Sequence, residues 1–78
     1  MPRRYTADEV IKVLEHFGWV FSRQRSSHII LVRPGQPGQV AVPSQRRRPE
    51  IAIGTFLGIL RDAGISREEF EEVAEEVL

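Results

Sequence analysis

The 78-residue chain has no cysteine, only two histidines and a single tryptophan. Without cysteine there is no disulfide and no thiolate metal site, so a domain of this size relies on packing or self-association for stability. No apolar run approaches the roughly 18 residues that cross a membrane, and no apolar signal segment follows the N-terminus. We therefore expect one cytoplasmic domain over residues 1–78, monomeric or homo-oligomeric, with no membrane association and no cofactor.

Missing motifs exclude several kinds of active site. The chain has no glycine-rich phosphate loop of the P-loop or dinucleotide type. Its two histidines are scattered and do not form the spacing of a transition-metal site, so no metal is expected. Ser27 directly precedes His28, which is poor geometry for a serine nucleophile and its base.

The charge of the chain is zero overall but unevenly distributed. Residues 1–48 carry nine Lys/Arg against three Asp/Glu, a net of +6, and residues 49–78 carry two against eight, a net of −6. This division favours a basic surface for polyanions and an acidic segment that faces elsewhere. An alternative is that the two halves pair with each other, and charge alone does not separate these interpretations.

Periodicity and turn residues predict the order α-β-β-β-α-α. Capping boxes, at Thr6–Glu9 and Ser66–Glu69, begin the first and third helices. The first helix is expected over 7–17, and the second follows Gly54-Thr55 and ends at Gly64. Strands rich in Val, Ile and aromatic residues are expected over 19–24, 28–33 and 39–43.

Short gaps between the strands imply an antiparallel meander. Helices one and two should cover one face of this α+β fold, which leaves the other face open for a ligand. We expect Trp19 and Phe21 to pack in the core, although on the open face they could stack on bases. Alternation places His28 on the face opposite Ile29 and Leu31.

His28 is the main candidate for chemistry. Histidine is the side chain whose ordinary titration range lies near neutral pH, and arginines beside it can hold a phosphate through a fork of donors. RNA cleavage requires such a proton-transfer group next to residues that bind phosphate. The alternative is a turn histidine without a role. The candidate phosphate-binding residues are arginines of the first hairpin and of the loop after strand three: Arg23, Arg25, Arg46, Arg47 and Arg48.

These motifs, taken in order, resemble the HicA (YcfA-like) family of toxin–antitoxin ribonucleases. The resemblance covers about 55 of the 78 residues, counted as the span from 10 to 65 with the intervening positions included. Its main segments are 10–19, 23–28, 34–38, 40–43, 50–55 and 59–65.

The resemblance implies a fold like that of the double-stranded-RNA-binding domain, α-β-β-β-α over 1–65, to which residues 66–78 add an acidic helix. It implies metal-independent cleavage of mRNA by the histidine of a Gly-Ser-His motif, which maps onto His28. Ser27 of that motif joins the candidate RNA-binding residues. The implied protein partner is a HicB-like antitoxin that covers the site. The chain departs from the motif at Ser26, where the family has glycine.

We therefore predict an endoribonuclease that acts on single-stranded mRNA as the toxin of a toxin–antitoxin pair. The alternatives are a non-catalytic RNA-binding module and a degenerate toxin that serves as a protein-interaction domain.

Overall fold

The architecture of the chain is a three-stranded sheet with three helices, in the predicted order. A computed structural model describes residues 3–45, 47 and 49–78. The predicted α+β fold and its additional C-terminal helix are confirmed, and α2 begins just before Gly54-Thr55 rather than after it. The elements are α1 (Ala7–His16), β1 (Val20–Arg25), β2 (His28–Val32), β3 (Gln39–Pro43), α2 (Ile53–Ala63) and α3 (Arg67–Val77).

Local signals set the ends of the helices. In α1 the backbone N–H of Glu9 donates to Thr6 Oγ1 at 3.2 Å, and the backbone N–H of Thr6 donates to Glu9 Oε1 at 2.9 Å. Ser66 and Glu69 form the same reciprocal pair at the start of α3. Gly64 ends α2 with φ +71°, a left-handed conformation in which a side chain would be strained. The predicted capping boxes are therefore confirmed.

The sheet has the order β1-β2-β3 and is antiparallel throughout. Helices α1 and α2 contact β3, and α3 packs on α1 and α2 rather than forming part of the first helical layer. The core lies between sheet and helices and includes Leu31, Val40 and Val42, all fully buried. The molecule thus has a sheet, a first helical layer and an outer helix.

An aromatic cluster joins α3 to the rest of the molecule. The ring of Phe70 in α3 lies 5.0 Å from Tyr5 and 4.9 Å from Phe56 of α2, both in edge-to-face geometry. Tyr5 is held in place by the backbone N–H of Ile51, which donates to its carbonyl at 2.8 Å. Because Phe70 is completely buried, α3 is a part of the core and not an appended tail.

Strand β1 is an edge strand, and all six of its residues are exposed. Trp19 is buried as expected, with its Nε1–H lacking a hydrogen-bond partner among the described residues. The expectation for Phe21 is wrong, because its side chain is 59 % exposed. It shares the face of Leu31, but the helices pack over β3 and leave the β1 edge uncovered.

Candidate functional site

The face of the sheet opposite the helices presents nine side chains in three rows. Direct cross-strand partners lie on the same face, so the pairing register defines each row. We call this surface the open face. Its rows are Arg25–His28–Pro43, Arg23–Ile30–Ala41 and Val20–Val32–Gln39.

His28 lies opposite Ile29 and Leu31, as the alternation of β2 predicts, and the structure shows that its face is the open one and that its side chain is exposed. Its direct partner on β1 is Arg25. Cβ atoms of such partners are typically about 5 Å apart, so the imidazole and the guanidinium can reach one phosphate group between them. This pair is the point on the sheet where an imidazole and a guanidinium lie side by side.

A β-bulge at Ser22 places Phe21 and the two arginines of β1 on opposite faces of the sheet. Phe21 pairs with Leu31, and the next pair along β1 is Arg23 with Ile30, so Ser22 has no partner of its own. In a regular strand Phe21, Arg23 and Arg25 would share one face, because side chains alternate with a period of two. The two-residue hairpin turn pairs Arg25 with His28 and Arg23 with Ile30, and the extra residue then reverses the alternation and turns Phe21 to the opposite face, that of Leu31. The sequence gives no clear signal for this bulge.

Arg23 crosses the sheet. One of its terminal nitrogens (Nη2) donates to Gln39 Oε1 on β3 at 3.3 Å, so its side chain passes over the central strand. This explains why Ile30 is only 4 % exposed although it lies outside the core cluster. In the middle of the open face, the apolar side chain of Ile30 is therefore covered by Arg23, whose guanidinium is held by Gln39.

The hairpin turn that presents His28 is strained. It has two residues, Ser26 and Ser27, between the paired positions Arg25 and His28. Ser26 has φ +54°, at the position that type II′ hairpins give to glycine. A serine in this left-handed region costs about 1 kcal/mol or more. The glycine of the family motif is thus what this backbone favours.

The electrostatics of the open face are positive. The three strands contain no Asp or Glu and no second histidine, so no carboxylate from the sheet neutralises Arg23 and Arg25. The ion pairs between described residues each lie within one half of the chain: Arg3–Glu9, Arg61–Asp62 and Arg67–Glu71. They give no support to the alternative that the basic and acidic halves pair with each other.

Of the other predicted site residues, Ser27 adjoins His28, Arg47 lines a different cleft, and two lie outside the described residues. Ser27 is half-buried, and its carbonyl accepts from the backbone N–H of Ser44 at 2.7 Å. Arg47 lines a separate cleft with Arg4. Arg46 and Arg48 lie outside the described residues. Among the described residues, the structure therefore brings Arg23, Arg25 and Ser27 together with His28.

A shallow cleft adjoins the His28 row at the end of β3. It has a volume of about 180 Å³ and lies between Pro43, the β3 partner of His28, and the first turn of α2.

Within the described ranges no three His, Asp or Glu side chains are close enough to hold a metal ion. Among the same residues, no helix is long and apolar enough to span a membrane.

A family model matches most of the chain. No curated protein matches the chain. The family model described as the HicA toxin of bacterial toxin–antitoxin systems matches residues 7–65, which run from the start of α1 to just beyond α2 and include the whole open face. Helix α3 lies beyond the match. The chain belongs to the HicA toxin family and is the toxin of a toxin–antitoxin system, with a cognate antitoxin as its implied partner.

Proposed function

We propose that the chain is a metal-independent endoribonuclease that cleaves single-stranded mRNA, with His28 as its catalytic residue. The observation that carries this proposal is the direct pairing of His28 with Arg25 on an exposed sheet face that lacks carboxylates. Membership of a toxin family supports an activity that damages a component of the cell. The positive charge of the open face supports a polyanionic substrate.

The reaction we propose is an attack of a ribose 2′-oxygen on the adjacent phosphorus. The 2′-hydroxyl loses its proton, the bond from phosphorus to the 5′-oxygen breaks, and that oxygen receives a proton. The products are a 2′,3′-cyclic phosphate and a 5′-hydroxyl. His28 takes the first proton as general base or gives the second as general acid. Since the sheet holds no other such group, water supplies the remaining transfer.

Arg25 has the second role in this proposal. As the direct partner of His28 it can donate to the oxygens of the scissile phosphate and stabilise the charge that develops on the phosphorane. Arg23, held across the sheet by Gln39, binds a neighbouring phosphate, and Ser27 orients the strand at the turn. The HicB-like antitoxin that the family implies would cover this face and exclude RNA from it.

The decisive experiment compares His28→Ala with His16→Ala on long single-stranded RNA in EDTA. We expect His28→Ala to lose about 10²–10⁴-fold in cleavage rate. His16, the other histidine, lies exposed in the last turn of α1, so His16→Ala should cleave at the wild-type rate. Products of the wild type should end in 2′,3′-cyclic phosphate, and a substrate without 2′-hydroxyls should stay intact.

Each other outcome contradicts a specific part of the proposal. Equal cleavage by His28→Ala and wild type would remove His28 from the mechanism. Salt-sensitive binding without cleavage would indicate a non-catalytic RNA-binding module. No affinity for RNA at all would indicate a protein-interaction domain.

Arg25→Gln and Arg33→Gln form a second matched pair. Arg33 follows β2 at the end remote from His28, and its side chain lies beside Gly18. We expect Arg25→Gln to slow cleavage by about 10²-fold, as the loss of a donor to developing charge does, and Arg33→Gln to change it little. Equal losses in single-turnover rate would mean that only overall charge matters.

A further inference from the structure

A second pair of arginines lies away from the open face, where the loop after β3 meets the N-terminal segment. Arg4 and Arg47 line a cleft of about 340 Å³ together with Pro49 and Glu50. Pairing of the two backbone segments brings them together: Thr6 forms a β-bridge with Glu50. Arg4 is thus brought to the loop by backbone pairing, and no motif in the sequence indicates it.

The residues that line this cleft carry more positive than negative charge. Its lining carries two guanidinium groups and one carboxylate, and none of the ion pairs between described residues includes Arg4, Arg47 or Glu50. Two like charges that face one space repel each other, and an anion between them removes that repulsion. Arginine is also the side chain whose fork of donors best matches phosphate.

The cleft is also close to the open face along the chain. Ser44 hydrogen-bonds to Ser27, the residue before His28, through its backbone N–H. From Ser44 to Arg47 the chain advances three residues, which span at most about 11 Å when fully extended. A strand that leaves the phosphate at His28 and follows the turn can therefore reach Arg47.

We propose that Arg4 and Arg47 form a second phosphate-binding site, which takes a backbone phosphate of the same RNA strand a short distance from the scissile one. This inference rests on the proposed function. The site extends the footprint of the RNA beyond the sheet and is independent of the base sequence, because it contacts only backbone.

Salt titration of RNA binding tests this site. The probe is a 2′-O-methyl oligouridine of about 12 nucleotides, which lacks the attacking hydroxyl and stays intact. For single strands each phosphate contact adds about −0.7 to the slope of log K against log salt. We expect Arg4→Gln and Arg47→Gln each to reduce the steepness by about 0.7, and the double variant by about 1.4. Arg61→Gln, an exposed α2 position paired with Asp62, is the matched control and should keep the wild-type slope.

Glu50→Gln provides the opposite change. If the cleft holds a phosphate, loss of this carboxylate removes a repulsion and should raise the affinity for the probe several-fold at low salt. If Glu50 instead serves to neutralise the arginines, the variant should lose stability in urea without gaining affinity, and the second site is overturned.

The outcomes separate this inference from the proposed function. Failure of the wild type to bind the probe overturns both. Normal binding by the wild type, with unchanged slopes in Arg4→Gln and Arg47→Gln, overturns the second site and leaves the open face as the whole RNA surface. Urea midpoints equal to that of the wild type exclude misfolding as the cause of a reduced slope.

Discussion

The open face of the sheet and the outer face of α3 are both exposed and strongly charged, but they differ in how their charges are held. On the open face, the register set by the two-residue turn places Arg23, Arg25 and His28 on one surface, and Arg23 crosses the buried Ile30. On α3 the helical repeat places glutamates opposite an apolar stripe that includes Phe70. The open face holds its two arginines and its histidine at defined positions. The outer face of α3 carries glutamates without such positioning, and its helix stabilises the fold through Phe70 on the other side.

Distance makes the two surfaces independent. The first helical layer separates α3 from the sheet, and each layer adds about 10 Å. Charges in solution are screened beyond about 8 Å at physiological ionic strength. We therefore expect changes on α3 to affect stability and changes on the open face to affect RNA, with little overlap.

Removal of the buried ring of α3 should give the largest effect on stability. Phe70→Ala empties the centre of the aromatic cluster, and such substitutions cost about 3–5 kcal/mol. A domain of this size has a total stability of about 4–12 kcal/mol, so much of the variant should be unfolded at 37 °C. Urea denaturation measures the loss. Leu78→Ala, at a 43 % exposed position, is the control. A loss for Phe70→Ala below about 1 kcal/mol would mean that α3 is dispensable.

Ser26→Gly should have a smaller effect in the opposite direction. Glycine removes the strain of the positive φ but adds freedom to the unfolded chain, so the net gain is about 0.5–1 kcal/mol. Ser27→Gly, in the same turn but without a positive φ, should instead destabilise. A thermal melt of the two variants distinguishes them. Loss of stability in Ser26→Gly would show that the serine makes a compensating interaction.

The capping carboxylate of α3 should give a pH-dependent effect. The backbone N–H and the hydroxyl of Ser66 lower the pKa of Glu69, so its ionised form is favoured in the folded protein. Its contribution to stability is therefore complete above the unfolded pKa of about 4.3 and is lost as pH falls through the folded value. The stability difference between wild type and Glu69→Gln should shrink between pH 6 and pH 3. A difference that stays constant would contradict this linkage.

Neutralisation of the outer glutamates should give the smallest effect. Glu72 and Glu76 are exposed on α3, one helical turn apart, so they repel each other weakly. Glu72→Gln/Glu76→Gln should change stability by less than about 0.5 kcal/mol. Its affinity for RNA at physiological salt should match that of the wild type. A large gain in affinity would show that the two surfaces are coupled after all.

Features with a local signal can be predicted from this sequence, whereas positions that depend on the whole sheet cannot. The capping boxes at Thr6 and Ser66 can be recognised in the sequence because the cap residue and its glutamate lie within one helical turn. The alternation of β2 likewise placed His28 correctly. The bulge at Ser22 carries no such signature, and the exposure of Phe21 depends on which strand the helices cover. Arg4 and Arg47 line one cleft although they come from segments more than half the chain apart.

The buried indole of Trp19 has a practical consequence for all of these measurements. It is the only tryptophan in the chain, it belongs to the core on the helical side of the sheet, and its N–H has no partner among the described residues. Its fluorescence should therefore shift sharply when the core opens to water. A ligand bound on the opposite side of the sheet should leave its emission unchanged. The protein thus carries its own optical reporter of unfolding, and a labelled oligonucleotide in the same sample can report binding separately.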